Sequence, residues 1–467
     1  MRRNLIATIG CLFLLGWTSL LAAQPTLAQS NAQAEPTGKP MNPAAGHADW
    51  PSFLGPNRDG KSTETGILTD WTDGRLKSNW QLSSGEGYAI GVVADGRYFH
   101  FDRFQNQARL RCVDFATGKQ IWEYKYNSVY EDMYGFDSGP RASPIVDGDL
   151  VYVFGVEGRL VCLGVEKGNE VWSVDTSEKF GVVQNFFGVG STPVVHDNKL
   201  LVMIGGSNSK RRKVQSTEMP NVKPAGSLLV AFDKLTGKVI YQVGNDLASY
   251  SSIQMAKLGN QETALVWGRE NLFGFDPEDG QQRFEYRWRA RKPESVNAST
   301  PVVSNDFIFL TESYGPGALL LKFQSSNDEA EVEKVWSDQG RRDQAMLAHW
   351  NTPVLHEGYL YGSSGQNSGD AELRCIEMET GKVMWSERGF NRASVTYVDG
   401  HLVVLGEYGQ LALVKANPKQ FEMVTRLNRQ AIKTKYPCWA APVISHGVLI
   451  VRGKREVVAY QLKERED

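Results

Sequence analysis

The stretch SPIVDGDLVYVFGVEGRLVCLGVEKGNEVW, Ser143 to Trp172, decides the fold. It reads as four short strands joined by tight turns. Ser143-Pro144-Ile145-Val146 opens the unit, and Asp147-Gly148 turns it, because glycine tolerates the positive φ of a two-residue hairpin. Leu150-Val151-Tyr152-Val153-Phe154 follows. Glu157-Gly158 turns into Arg159-Leu160-Val161-Cys162-Leu163, and Lys167-Gly168-Asn169 turns into a last strand ending at Trp172. Connections this short permit only antiparallel neighbours, since parallel strands need a crossover of about a dozen residues. The strands are apolar on both faces, so both faces must be covered. A radial stack of such sheets does this; a two-sheet sandwich leaves each sheet an outer polar face.

The unit recurs along the chain. An aromatic residue closes successive copies: Trp80, Trp122, Trp172, Tyr241, Phe284, Trp336, Trp385 and Phe421. The one long step, to Tyr241, contains an insertion from Ser207 to Ala225. Opening strands recur as Thr192-Pro193-Val194-Val195, Thr300-Pro301-Val302-Val303, Thr352-Pro353-Val354-Leu355 and Ala441-Pro442-Val443-Ile444. A repeat of about 40–50 residues made of strands and turns predicts an all-β chain: an eight-bladed β-propeller of four-stranded antiparallel blades. The last unit has three strands between Trp439 and Leu462, so Ser78–Leu82 is expected to supply its fourth and close the ring.

The chain has 467 residues, a formal charge of −2, 41% hydrophobic and 22% charged residues. This balance favours neither nucleic acid nor an anionic membrane surface. Arg2 and Arg3 followed by an apolar run, Leu5 to Leu21, read as an export signal cleaved after Ala23 or Ala28. A membrane anchor is the competing reading. The expected organisation is a signal peptide over 1–28, a flexible linker over 29–48 and one propeller domain over 49–467. The mature chain is then exported, periplasmic or envelope-associated, monomeric and without a transmembrane span. Cys112, Cys162 and Cys375 share one repeat slot with Ala231, Gly274 and Ala459. A slot shared by Cys, Ala and Gly selects small size, so buried free thiols are expected rather than disulfides.

The units Ala231-Phe232-Asp233-Lys234-Leu235-Thr236-Gly237-Lys238-Val239-Ile240-Tyr241, Cys112–Trp122 and Cys375–Trp385 resemble the repeat of pyrroloquinoline-quinone (PQQ) enzymes and their non-enzymatic relatives. Trp50-Pro51-Ser52-Phe53-Leu54-Gly55-Pro56-Asn57-Arg58-Asp59-Gly60 is similar to the lead-in of exported PQQ-like repeat proteins. The resemblance implies that each aromatic docks between neighbouring blades. It leaves activity open, because the repeat is a packing motif. One branch, the quinoprotein dehydrogenases, holds PQQ and Ca²⁺ at the channel mouth beside a disulfide of adjacent cysteines. No two cysteines are adjacent in this chain, and the metal-binding acid and amide and the catalytic Asp of that branch have no match. The other branch is the periplasmic outer-membrane-protein assembly factor B, a lipoprotein that binds proteins and no cofactor. Cys11 lies too early in the apolar run to be a lipidation site.

The long loops fall on one rim, including Lys125–Arg141, Thr176–Gly190 and Gly365–Ala371, and variable loops on a rigid scaffold are where function concentrates. Residues leading into the inner strands are expected to ring the channel mouth: Arg141, Tyr250, Asn297, His349, Trp350, Asn351, Arg392 and Trp439. Two arginines, amides, a histidine and aromatics suit an anionic or sugar-like ligand. The competing account has them bonding water and buried backbone. Asp114, Asp233 and Asp276 precede turn glycines and read as turn caps. His196, His356 and His446 sit beside hairpin turns without metal-ligand spacing, and Lys210–Lys213 reads as a solvated basic loop. The expected function is a non-catalytic, cofactor-free scaffold that binds protein in the cell envelope. The alternatives are a PQQ- or metal-dependent oxidoreductase with a divergent site, and a carbohydrate or small-molecule binder at the mouth.

Overall fold

The computed structural model describes residues 49–184, 186–326, 329–427 and 436–464. The expected signal peptide and linker lie outside them. The described residues form eight four-stranded antiparallel sheets, each built from strands consecutive in the chain except the last. Blades 1 to 7 span Val92–Asn127, Ile145–Asp175, Val194–Val243, Gln254–Arg287, Val302–Ser337, Val354–Glu387 and Ser394–Leu427. Blade 8 joins the strands within Val443–Gln461 to Ser78–Ser83, with Trp80 opposite Ala459. The ring therefore closes through its two ends, as the sequence predicts.

The core is divided among the blade interfaces. Val92, Phe99 and Cys112 of blade 1 pack with Val146, Val151 and Val161 of blade 2. The same arrangement continues around the ring to blade 8, whose Val443, Ile450 and Val457 meet Val93, Tyr98 and Val113 of blade 1. The recurrent aromatic sits in these interfaces. Trp122 Nε1 donates to Val165 O at 2.8 Å, Trp172 Nε1 to Lys234 O at 3.0 Å, and Tyr241 OH to Pro277 O at 2.9 Å. Trp336 and Trp385 reach Met378 O and Asn417 O in the same way, and Trp80 reaches Phe115 O. Each ring lies on a turn of the next blade. A Cβ added at Gly237 would stand 2.7 Å from the Trp172 ring, and one at Gly168 2.5 Å from Trp122. The Thr-Gly turn thus needs glycine twice, for its positive φ of 68° at Gly237 and for the ring above it.

The small slot is the cross-strand partner of the wedge. Cys112 faces Trp122, Cys162 faces Trp172 and Cys375 faces Trp385, and the register slips by a bulge just after each. These cysteines are buried and free. Asp114 Oδ1 accepts from Thr117 N and Oγ1 at 2.8 and 2.6 Å, the capping role expected of it.

Blade 7 departs from the expectation. Phe421 lies before the outer strand and packs against Trp385 and Phe390, in the interface between blades 6 and 7. The wedge position, opposite Leu413, holds Thr425. Trp71, 1% exposed, fills the space between blades 7 and 8 instead; its backbone N–H donates to Thr425 Oγ1 at 3.2 Å and its indole Nε1 to Leu68 O at 2.9 Å. An aromatic from the start of the domain therefore completes a blade built near its end.

Two further features hold the axis. Hydroxyls at the inner-strand entrances accept from the equivalent amide of the preceding blade: Ile90 N to Ser143 Oγ, Ser143 N to Thr192 Oγ1, Thr192 N to Ser252 Oγ, Ser252 N to Thr300 Oγ1 and Thr300 N to Thr352 Oγ1, at 3.0–3.3 Å. This belt explains the Ser or Thr before the recurrent proline. The lead-in crosses the axis: Trp50 exchanges backbone bonds with Val93 of blade 1, and Val146 N of blade 2 donates to Pro51 O. Tyr397 N of blade 7 donates to Gly60 O at the other side. A short helix, Thr176–Phe180, capped by Asp175, was not expected from the pattern.

A Trp172→Ala change is expected to cost about 3–5 kcal/mol, measured by denaturant unfolding. A chain ending at Lys435 lacks three strands of blade 8 and should show no cooperative thermal transition; a sharp, full-length-like melt would refute the closure.

Candidate functional site

The inner-strand entrances of all eight blades converge on a cavity of about 420 Å³ at the loop-bearing end of the axis. Seven of the eight residues expected at the mouth line it: Arg141, Tyr250, His349, Trp350, Asn351, Arg392 and Trp439. Asn297 does not. It is fully buried, and its Nδ2 donates to Gly268 O and Arg269 O at 3.0 and 3.1 Å. The lead-in, with Phe53 and Leu54, also lines the cavity.

Aromatic side chains from separate loops dominate the wall. Phe136 meets Phe187 edge-on at 5.5 Å and Trp439 at 5.8 Å. Trp439 lies 4.4 Å from Trp350 and 4.8 Å from Tyr88, and Phe187 lies 5.7 Å from Tyr250. Tyr134, Phe136, Phe186 and Phe187 come from inter-blade loops without a repeat pattern, so periodicity did not identify them. The only signal was loop length.

Both arginines are matched by buried carboxylates. Arg392 Nε donates to Glu407 Oε1 at 2.9 Å, Nη2 reaches the same oxygen, and Glu407 is fully buried. Trp439 Nε1 donates to that oxygen at 3.0 Å, and Ser368 Oγ to the other at 2.6 Å. Burial works to raise the Glu407 carboxyl, but bonds from Arg392, Ser368 and Trp439 outweigh it and hold it below its ordinary value. The Arg392 guanidinium sits 4.4 Å over Trp350 and 5.4 Å over Trp439. Across the cavity, Arg141 Nη2 donates to Asp132 Oδ2 at 2.9 Å, and the guanidinium lies over Tyr88 and Tyr130. Each cation is thus neutralised and sandwiched, a geometry suited to arginine rather than lysine.

The remaining polar groups are mostly engaged. Asn351 Nδ2 donates to Ser363 O at 3.1 Å, and Tyr250 OH accepts from Phe187 N at 2.6 Å. His349 Nε2 is 3.1 Å from Tyr314 OH, and its Nδ1 is 3.4 Å from Arg392 Nη1. Burial, then the Arg392 charge, lowers His349 to about 3, so the imidazole is neutral near pH 7. Trp350 Nε1 is buried with no hydrogen-bond partner among the described residues.

Other expectations resolve as follows. Arg211 and Arg212 of the inserted loop pair with Glu218 and Asp175. Val214 and Met219 of the same loop are buried against Val183 and Leu247. His196, Asp197 and Glu278 come within 4.8 Å of one another at an exposed hairpin edge, and Lys199 Nζ bonds Glu278 at 2.9 Å. Among the described residues no helix is long and apolar enough to cross a membrane.

Comparison with known proteins agrees with this architecture. Residues 106–387 match the family described as outer membrane protein assembly factor BamB, more than half of the chain. The chain belongs to this family of PQQ-like repeat β-propellers. It is 22% identical over 394 residues to outer membrane protein assembly factor BamB of Xanthomonas campestris, covering 82% of this chain and 84% of the relative. It is also 25% identical over 229 residues to the dehydrogenase subunit of the quinone alcohol dehydrogenase of Gluconacetobacter polyoxogenes. That match covers 47% of this chain and only 29% of the relative's length. The quinohemoprotein alcohol dehydrogenase of Comamonas testosteroni shares the fold, with a TM-score of 0.60 and 13% identity over 90% of this chain and 82% of that one.

The pH response of the site follows from His349. Unfolded, the imidazole binds a proton near pH 6.5; folded, it does so only near 3. Between these values the unfolded chain holds more protons, so the His349 contribution is complete above about pH 6.5 and is lost as pH falls. Burial raises the Glu312 and Asp246 carboxyls to about 7 and about 6, which acts in the opposite sense. Both carboxyls are present in a His349→Gln variant. That variant is therefore expected to lose less melting temperature than the parent between pH 6.5 and 4; equal losses would remove His349 as the cause.

Proposed function

We propose that this chain is an exported, non-catalytic scaffold of the cell envelope that binds protein through its loop-bearing rim and axial cavity. The observation that carries the reading is the aromatic character of the cavity, whose two arginines are cancelled by the buried carboxylates Asp132 and Glu407. Binding surfaces for proteins are enriched in aromatic residues and arginine and depleted of uncompensated charge at their centre. Val129, Tyr134, Phe136 and Tyr436 extend apolar surface outward, with exposures of 84%, 42%, 41% and 39%. Similarity to BamB of Xanthomonas campestris over most of both chains supports a role in outer-membrane protein assembly.

The second reading is a quinone-dependent oxidoreductase with a divergent site, favoured by the dehydrogenase match and by the aromatic faces of Trp350 and Trp439. The lining residues do not fit a tricarboxylate quinone and its calcium ion. The quinone needs uncommitted cations, whereas Arg141 and Arg392 are each bonded to a carboxylate. Calcium takes about six to eight oxygen ligands, and Glu294 is the one acid among the lining residues.

A photo-crosslinking residue at Val129 should give discrete protein adducts in intact envelopes, and the same residue at Lys167, on the tight-hairpin end, should not. Equal yields from both ends, or none from Val129, would overturn the scaffold reading. PQQ with Ca²⁺ should leave the melting temperature unchanged; a rise of several degrees would favour the oxidoreductase.

A further inference from the structure

We propose that the axial cavity receives a single aromatic side chain carried on an extended peptide. Phe53 and Leu54 of the lead-in set its depth, and Trp350 Nε1 bonds a carbonyl of the peptide backbone. The inference deepens the scaffold reading and rests on it.

Three observations converge. The first is shape. The lead-in crosses the axis from blades 1 and 2 to blade 7, and Phe53 and Leu54 line the cavity. The channel is thereby a blind recess entered from the rim. A volume of about 420 Å³ lies within the range of sites that enclose small ligands. It admits one bicyclic side chain with adjoining backbone and excludes a folded element.

The second is the wall. Phe136, Phe187, Tyr250, Trp350 and Trp439 present ring faces and edges at tilted and edge-on angles. Such arrays reward an added ring beyond the area it buries. With Arg141 and Arg392 neutralised by Asp132 and Glu407, an anionic side chain gains no compensating charge and meets Glu294 in the lining.

The third is the orphan donor. Trp350 Nε1 is buried and has no partner among the described residues, although the same ring packs against Arg392 and Trp439. A buried N–H without an acceptor is costly and calls for one. A hydrocarbon offers none; a peptide carbonyl does. Exposed Tyr134, Phe136 and Tyr436 at the rim provide apolar surface for the residues on either side of the inserted one.

The test uses the purified full chain and capped pentapeptides, acetyl-Ala-Ser-X-Ser-Ala-amide with X as Trp, Phe, Ala or Glu, by titration calorimetry. The Trp and Phe peptides should bind roughly tenfold or more tightly than the Ala and Glu peptides. Trp350→Phe keeps a ring but removes the donor; it should weaken the Trp peptide about fivefold while the melting temperature holds or rises. Phe53→Trp should weaken it by a similar factor by raising the floor. If Trp350→Phe fails to fold, Phe53→Trp carries the test. Equal binding of Trp and Ala peptides, no binding of any, tighter binding of maltotriose or of PQQ, or an unchanged affinity in a folded variant would each overturn the proposal. Val129 crosslinks that persist while the peptides fail would retain the protein-binding rim and remove only the recess; loss of both would remove the scaffold reading too.

Discussion

In five of the blade interfaces an aromatic ring (Trp80, Trp122, Trp172, Tyr241 or Trp336) lies on a glycine turn of the next blade, and the ring's N–H or O–H bonds that blade's carbonyl. This contact sets most of what else the repeat contains. The ring needs room within its own sheet, so its cross-strand partner is Cys, Ala or Gly in most blades. It needs a flat bed on the neighbour, so the turn there carries glycine. It lies where the register slips, and a bulge adds the local twist that a radial sheet requires. Where a phenylalanine stands in place of tryptophan or tyrosine, as at Phe284, the polar link is lost and the ring packs against Phe323 instead. The hydroxyl belt at the axis does the same work at the narrow end, where there is little space for a ring.

Most of the architecture was legible because these constraints act within one blade or between adjacent ones. Strand order, turn positions, the small slot and the closing strand all follow from residues that recur at nearly fixed spacing. The failures were non-local. Phe421 is aromatic at about the right interval, yet Thr425 holds the register position and Trp71, about 350 residues upstream, fills the interface. No repeat pattern links Trp71 to blade 7. The lead-in Trp50–Gly60 was recognisable as a motif, but its path across the axis depends on backbone bonds to blades that follow it in the chain.

The mouth was legible in position and less so in chemistry. Entrances to inner strands must converge at the axis, so seven of eight chosen residues share the cavity; Asn297 turns aside because Gly268 and Arg269 offer carbonyls nearby. Charge was the harder inference. Two arginines in a list suggest an anion site, but Asp132 and Glu407 lie in segments whose sequence gives no reason to place them beside Arg141 and Arg392. Pairing across loops converts an apparent cationic ring into a neutral one. A buried carboxylate with three donors is also a rigid support, and it fixes Arg392 and Trp439 together.

The scaffold and the site are therefore separable physically. The wedge and its glycine bed serve to close a ring, and a closed ring carries no chemistry of its own. The candidate site is built at the two ends of the axis: a lead-in that seals one side and inter-blade loops that gather aromatic rings on the other. Sealing changes what the rings can do. In an open channel, water would reach them from both ends and an apolar guest would gain little by entering. With Phe53 and Leu54 beneath them, a guest entering from the rim removes both its own surface and theirs from water, and the hydrophobic gain is largest for a ligand that fills the recess in one piece.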